Sequence, residues 1–185
     1  MRPTSHAFAS LLRSLPLVLL VPFMLLMPFM LLMPACDDGD DDAAVLGDPE
    51  YERDPALDVT LMSARGGALS HNIGQNCMSC HQENGPGPGR FTAAGTLFGA
   101  DGTPHADGAV ELRTGGNGTG DLVLRIEADG NGNFYTTESL PLPDSALFPT
   151  VYDREGVARN FMPFPTRSAA CNVCHVGSAV ILVPG

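Results

Sequence analysis

Hydrophobic and polar residues alternate along the middle of this chain in short segments that glycine-rich turns separate. The clearest segment is 122–128, in which every second residue is Leu, Leu, Ile or Ala. Shorter segments of similar character span 91–98, 109–113, 134–137, 147–152 and 157–162. Alternation with a period of two predicts strands that bury one face. Regular short strands between turns predict a mainly β fold, namely a small antiparallel β-sandwich.

The first 35 residues follow a different pattern. From Leu15 to Ala35 all 21 residues are apolar or proline, and residues 1–35 hold two arginines and no acid. A positive start followed by an apolar run is typical of a signal peptide. Prolines recur every six residues in this run and would interrupt a helix repeatedly. The prolines therefore argue against a stable membrane span. The alternative to a cleaved signal peptide is an uncleaved membrane anchor, since the run is long enough to cross a bilayer.

The end of the apolar run carries a possible processing site. Residues 32–36 read Leu-Met-Pro-Ala-Cys and resemble a bacterial lipobox, although Met33 and Pro34 depart from its usual pattern. The resemblance implies that Cys36 is lipidated and anchors the mature chain to the lipid membrane. An exported lipoprotein, periplasmic or at the cell surface, is therefore expected.

Acidic residues are concentrated directly after this run. Residues 36–58 contain ten acids and one arginine, which is −9 of the formal net charge of −11 on the 185 residues. Such a segment repels itself and lacks the apolar surface for a core, so we expect a disordered tether at 36–58. Residues 59–185 are left as the working domain. The negative charge argues against nucleic-acid binding, which requires a basic surface.

Four of the five cysteines form two Cys-x-x-Cys-His motifs, at residues 77–81 and 171–175. This spacing is the signature of covalent haem attachment. Two thiols on one helical turn can each bond a vinyl group, and the histidine that follows can offer a ring nitrogen to the iron. A redox dithiol would require a thioredoxin-like context. In a zinc site the two cysteine pairs would lie much closer in sequence, and a disulfide within either pair would be strained.

With these motifs the chain resembles the dihaem c-type cytochromes. The resemblance implies two covalently bound haems c, with electron transfer as the function and other redox proteins of the cell envelope as partners. It carries over the attachment residues Cys77, Cys80, Cys171 and Cys174 and the proximal iron ligands His81 and His175. A haem-dependent peroxidase- or reductase-like enzyme with one open iron site is an alternative, and a cell-surface binding module is another. An electron carrier is favoured, because only Glu83 is an obvious acid–base group beside a motif.

The sixth ligands of the two irons have three candidates. His71 lies six residues before Cys77 and is the predicted distal ligand of the first haem. His105, in a segment of turn-forming residues, and Met162, just before the second motif, are weaker candidates. Methionine ligation would raise the reduction potential of that haem relative to two histidines. Three aromatic residues near the motifs are candidates for haem walls: Phe91, Phe161 and Phe164.

The segment between the motifs resembles a second kind of domain. Its glycine-containing turns and the run Asp-Gly-Asn-Gly-Asn-Phe at 129–134 are similar to carboxypeptidase-regulatory-like and immunoglobulin-like domains. The resemblance implies a β-sandwich inserted at about 90–162, with no catalytic role of its own. The same run partly matches a calcium loop, but Phe134 occupies the position that such a loop gives to glycine. A hairpin turn is therefore the favoured interpretation.

Overall fold

A computed structural model describes residues 52–185. The predicted signal peptide, the predicted lipidation site Cys36 and residues 36–51 of the predicted tether lie outside the described residues. Within the described part, no helix has both the length and the apolar character needed to cross a membrane.

The last residues assigned to the tether are ordered against the domain. Pro55–Leu57 form a 3₁₀ turn. The Arg53 side chain donates hydrogen bonds to the backbone carbonyls of Leu57 (3.1 Å) and Gly85 and forms an ion pair with Asp58 (2.9 Å). Residues 52–58 therefore belong to the ordered part, although sequence charge alone places them in the tether.

The mainly β fold is confirmed. The described residues form eight strands: β1 Ala93–Gly99, β2 Ala109–Arg113, β3 Leu122–Glu127, β4 Asn133–Thr136, β5 Phe148–Tyr152, β6 Ala158–Phe161, β7 Ala169–Ala170 and β8 Ile181–Val183. Helical structure there is limited to single turns: 3₁₀ turns at Pro55–Leu57, Cys77–Ser79 and Gly177–Ala179, and the helix α1 at Cys171–Cys174. The first six strands correspond to the six alternating segments of the sequence.

The strands form two sheets. In the first, β1 pairs antiparallel with β4 and parallel with both β7 and β8. In the second, the order is β3-β2-β5-β6 and all neighbours are antiparallel. The predicted antiparallel arrangement therefore describes the second sheet completely, and the first sheet adds two short parallel strands.

One hydrophobic core lies between the sheets and makes the fold a β-sandwich. Leu97 and Phe134 from the first sheet and Leu112 and Ile126 from the second are all buried in the same cluster. The opposite face of β2 carries Glu111, which pairs with arginine side chains on its own strand and on β3. Alternation along the strands thus separates an apolar face from a charged one.

Both Cys-x-x-Cys-His motifs lie beside β1. The 3₁₀ turn of the first motif and the helix α1 of the second each contact this strand. β7 leads directly into α1, and β8 follows the second motif. The second motif is therefore placed between two strands of the first sheet. The first sheet therefore extends past residue 162, where the sequence predicts the β-sandwich insertion to end, because β7 and β8 belong to it.

Candidate functional site

The first motif is a tight turn closed by a glycine- and proline-rich loop. The backbone N–H of His81 donates to the carbonyl of Cys77 (3.0 Å), which brings the histidine back over the turn. The following loop, 85–89, then passes close to the histidine ring. A Cβ atom at Gly87 would lie 2.8 Å from Nδ1 of His81, so a residue without a side chain is needed there.

The His81 ring has one defined orientation. Its Nδ1–H donates to the carbonyl oxygen of Pro88 at 2.7 Å. A carbonyl oxygen only accepts, so the proton lies on Nδ1 and the lone pair lies on Nε2. A hydrogen bond from the second ring nitrogen to a carbonyl is the arrangement that orients metal-binding histidines.

Aromatic stacking fixes the same ring from its face. Phe91 lies parallel to His81 with 4.1 Å between ring centroids, and Tyr135 stacks on Phe91 at 4.9 Å. His81 is only 7% exposed. Burial lowers the pKa of His81, the hydrogen bond to Pro88 opposes this, and neighbouring His71 lowers the pKa further. The neutral imidazole, which is the form that binds metals, is therefore favoured.

The structure brings His71 to the first motif. The centroids of the His71 and His81 rings are 6.2 Å apart, with 37° between the ring planes. A metal lies about 2.0–2.1 Å from a histidine nitrogen, so two imidazoles on opposite sides of one metal have centroids roughly 6 Å apart. The distance between the two ring centroids is therefore compatible with two imidazoles on one metal.

A cavity of about 350 Å³ adjoins this histidine pair. Its lining includes Cys77, Cys80, His71 and His81, together with the aromatic ring of Tyr135. Leu69 also lines it and is 94% exposed. The first motif therefore has a cavity that both of its cysteines, His81 and His71 line together.

The second motif orients its histidine through a hydrogen bond to the 3₁₀ turn that follows it. The backbone N–H of His175 donates to the carbonyl of Cys171 (2.9 Å), and its Nδ1–H donates to the carbonyl oxygen of Ala179 (2.9 Å). This acceptor lies in the 3₁₀ turn that begins at Gly177, whose φ is +58°. As in the first motif, Nε2 keeps the lone pair.

A second cavity, of about 390 Å³, adjoins the second motif. Both cysteines of the motif and His175 line it, and Met162 is part of the same lining. Its remaining lining residues are mostly apolar, and three large ones are exposed to solvent: Phe161, Val173 and Leu182. Each motif therefore has its own cavity with an apolar rim.

Three motif cysteines, Cys77, Cys171 and Cys174, carry free thiols. Burial raises the pKa of the Cys77 thiol and raises that of Cys171 to about 12, with Cys77 contributing a further increase at Cys171. The two buried thiols are therefore held protonated, which is unfavourable for a reactive redox dithiol or a zinc thiolate site.

Two residues that the sequence suggests as haem contacts line neither cavity. His105 lines neither cavity; it follows the turn after β1, where its backbone N–H donates to Leu97 (2.8 Å). Phe164 also lines neither cavity and is 71% exposed. In contrast, Phe91 and Phe161 lie in the first and second cavity linings respectively.

The Asp-Gly-Asn-Gly-Asn run is a turn whose side chains hold other segments of the chain. Asp129 accepts from the backbone N–H groups of Asn131 and Asn133. The Asn131 side-chain amide donates to the Ser70 carbonyl (2.8 Å), and that of Asn133 donates to the His71 carbonyl (3.1 Å). The turn thus fixes the backbone that carries His71.

Clusters of three or more His, Cys, Asp or Glu side chains suited to a metal ion do not occur among residues 52–185. A haem iron takes most of its ligands from the porphyrin, so it needs only one or two side chains.

The sequence interpretation missed the two backbone carbonyls, of Pro88 and Ala179, that orient the motif histidines. A backbone acceptor has no side-chain signature. The only available signal was the unusual Gly-Pro-Gly-Pro-Gly run that closely follows the first motif.

No protein-family model, curated protein or solved structure matches this chain.

Proposed function

We propose that this protein is an exported, membrane-tethered c-type cytochrome that transfers electrons through two covalently attached haems. The observation that supports it best is shared by both motifs. His81 and His175 each donate Nδ1–H to a backbone carbonyl and each line an apolar-rimmed cavity together with their motif cysteines. Haems bound there would supply reversible one-electron chemistry at iron.

Different residues of the chain would attach each haem and ligate its iron. Cys77 and Cys80 would attach the first haem, and Cys171 and Cys174 the second. His81 and His71 would ligate the first iron. His175 would ligate the second, with Met162 as the cavity residue available on the distal side. The export signal, the lipid anchor at Cys36 and envelope redox partners belong to the same proposal and rest on sequence.

The primary test is a haem count. The full chain is expressed in a host that attaches haem to exported proteins, and the pyridine haemochrome is measured per chain. We expect two haems and a low-spin reduced spectrum that carbon monoxide leaves unchanged. Folded, exported protein without haem contradicts the proposal. A spectrum that responds to carbon monoxide favours the alternative of an enzyme with one open iron site.

Matched histidine variants test the ligand assignment. His71→Ala removes the ring that lies 6.2 Å from His81, so we expect about half of the low-spin signal to become high-spin. His105→Ala is the control, since His105 lines neither cavity, and its spectrum should match that of the parent protein. Met162→Ala should act like His71→Ala but at the other haem. A low-spin spectrum unchanged in His71→Ala rejects His71 as a ligand.

A further inference from the structure

Three buried polar side chains connect the two motifs through the first sheet. Asn172 is the second residue of the second motif, Thr96 lies in the middle of β1 and Asn133 begins β4. All three are buried. We refer to Asn172, Thr96 and Asn133 as the polar bridge.

The hydrogen bonds within the polar bridge allow one arrangement. The Thr96 hydroxyl donates to Oδ1 of Asn133 (2.6 Å) and accepts from Nδ2 of Asn172 (3.0 Å) and from the backbone N–H of Gly74 (3.0 Å). The backbone N–H of Thr96 donates to Oδ1 of Asn172 (3.2 Å). The hydroxyl has one proton and two lone pairs, and all of them are used. Networks of this kind, satisfied and shielded from water, rigidify the groups they join.

Each end of the polar bridge reaches a segment that would carry a haem. Nδ2 of Asn172 also donates to the carbonyl of Gln75 (2.8 Å), two residues before Cys77. At the other end, Nδ2 of Asn133 donates to the carbonyl of His71 (3.1 Å). Asn172 of the second motif thus fixes the backbone just before the first motif. The same network fixes the backbone of His71, the predicted distal ligand.

The two motifs also approach each other closely across β1. A Cβ atom at Gly95 would lie 2.9 Å from Cβ of Cys171, so the absence of a side chain there lets the second turn rest on the strand. Since Asn172 follows Cys171 directly, its amide reaches over the strand to Gln75. The first and second turns are therefore neighbours on one rigid element.

We infer that the polar bridge is a positioning device that fixes the distance between the two haems, so that the domain carries them as one rigid pair. This inference rests on the proposed function. Apolar residues of similar shape would serve stability as well or better, since buried polar groups gain little net free energy. Their contribution is directional: they select one register between the two turns.

The inference is tested by the inter-iron distance distribution in the oxidised, haem-loaded full-length protein, measured by pulsed dipolar electron paramagnetic resonance. The parent protein should give one narrow distribution. Asn172→Asp keeps the shape but places a carboxylate oxygen against the carbonyl of Gln75, and Thr96→Val removes the central hydroxyl. Both should broaden or lengthen the distribution while the haem count stays at two.

Thr150→Val is the matched control for Thr96→Val. It removes a buried hydroxyl on β5 of the second sheet, at a residue that lines neither cavity, so it should leave the distribution unchanged. If Thr96→Val does not fold, Asn172→Asp alone decides. A broad distribution in the parent protein, or a narrow one retained in Asn172→Asp, overturns the inference. Absence of haem from the parent protein overturns the proposed function instead.

Discussion

The two Cys-x-x-Cys-His turns share a five-residue pattern but hold their histidines in different ways. His81 is buried, stacked on Phe91 and bonded to the carbonyl of Pro88, seven residues further on. His175 is half-buried and bonded to the carbonyl of Ala179, only four residues further on. The first histidine is fixed by packing and the second by the local backbone.

This difference indicates how the two haems would differ. A ligand in a buried aromatic site is surrounded by a lower dielectric than one at the surface, and burial is one of the factors that set a haem's potential. The distal candidates differ as well: a histidine at the first cavity and a methionine at the second. If two haems are bound as proposed, both differences would give them unequal reduction potentials.

The largest expected effect comes from removing the scaffold that both turns share. Phe134 is buried in the core, and its ring fills the space in which a side chain at Gly95 would stand, beside Cys171. Phe134→Ala should lower the free energy of unfolding by about 3–5 kcal/mol. Denaturant titration followed by circular dichroism and by haem absorbance measures it.

The two probes should lose their signals together, because both turns rest on β1. Leu122→Ala is the control: Leu122 is exposed at the start of β3, and such a change should cost less than about 0.5 kcal/mol. A loss below about 1 kcal/mol in Phe134→Ala, or one haem site that unfolds well before the other, would contradict a shared scaffold.

A matched pair of phenylalanine variants separates the two turns. Phe91→Ala removes the ring between His81 and Tyr135 and should cost about 3 kcal/mol, at the lower end for a large buried aromatic residue because it borders a cavity. Phe161→Ala removes a ring that lines the second cavity and is 47% exposed, so it should cost only about 1 kcal/mol. Thermal unfolding of both variants measures this. Equal losses would contradict the contrast between a packed first site and a locally held second site.

Much of the fold was readable from alternation, and the limits have physical causes. The segments of 91–98 and 109–113 became β1 and β2 within two residues at their ends. β7 and β8 were missed because two or three residues are too short to show a period. Both pair in parallel with β1, more than 70 residues away in sequence, and no local pattern reveals such pairing.

In the candidate site, too, local sequence predicts some features, and others depend on tertiary contacts. Motif spacing predicts His81 and His175 as iron ligands, and proximity in sequence predicts His71, which the fold places beside His81. Sequence did not reveal that Asn172 reaches Gln75, because that contact depends on how two turns meet across a strand. Covalent chemistry is local in sequence, whereas its positioning is a property of the tertiary structure.

The smallest expected effect is electrostatic and concerns only the first turn. Asp58 forms ion pairs with Arg90 (2.6 Å) and Arg53 (2.9 Å), and Arg53 also bonds to the Gly85 carbonyl in the loop around His81. The hydrogen bonds from Arg90 and then Arg53 lower the pKa of Asp58. Because the pKa of Asp58 is lower in the folded chain than in the unfolded chain, its ion pairs stabilise the fold at pH values above the unfolded pKa of about 3.9. This stabilisation is lost as the pH falls from there through the folded pKa.

We therefore expect the loop of residues 85–90 to open more often as pH is lowered from 5 to about 3, close to the unfolded pKa of an aspartate. No Asp, Glu, Lys or Arg occurs from 169 to 185, so the second turn should show no such change. Amide hydrogen exchange, corrected for its intrinsic pH dependence, measures both loops in one experiment. Asp58→Asn should weaken the pH dependence at the first loop, where Glu83 remains paired with Arg90 (3.9 Å), and leave the second unaltered. If the loop in Asp58→Asn still opens with acid as the parent does, the Asp58 ion pairs do not hold it, and packing around His81 alone would account for the difference between the two turns.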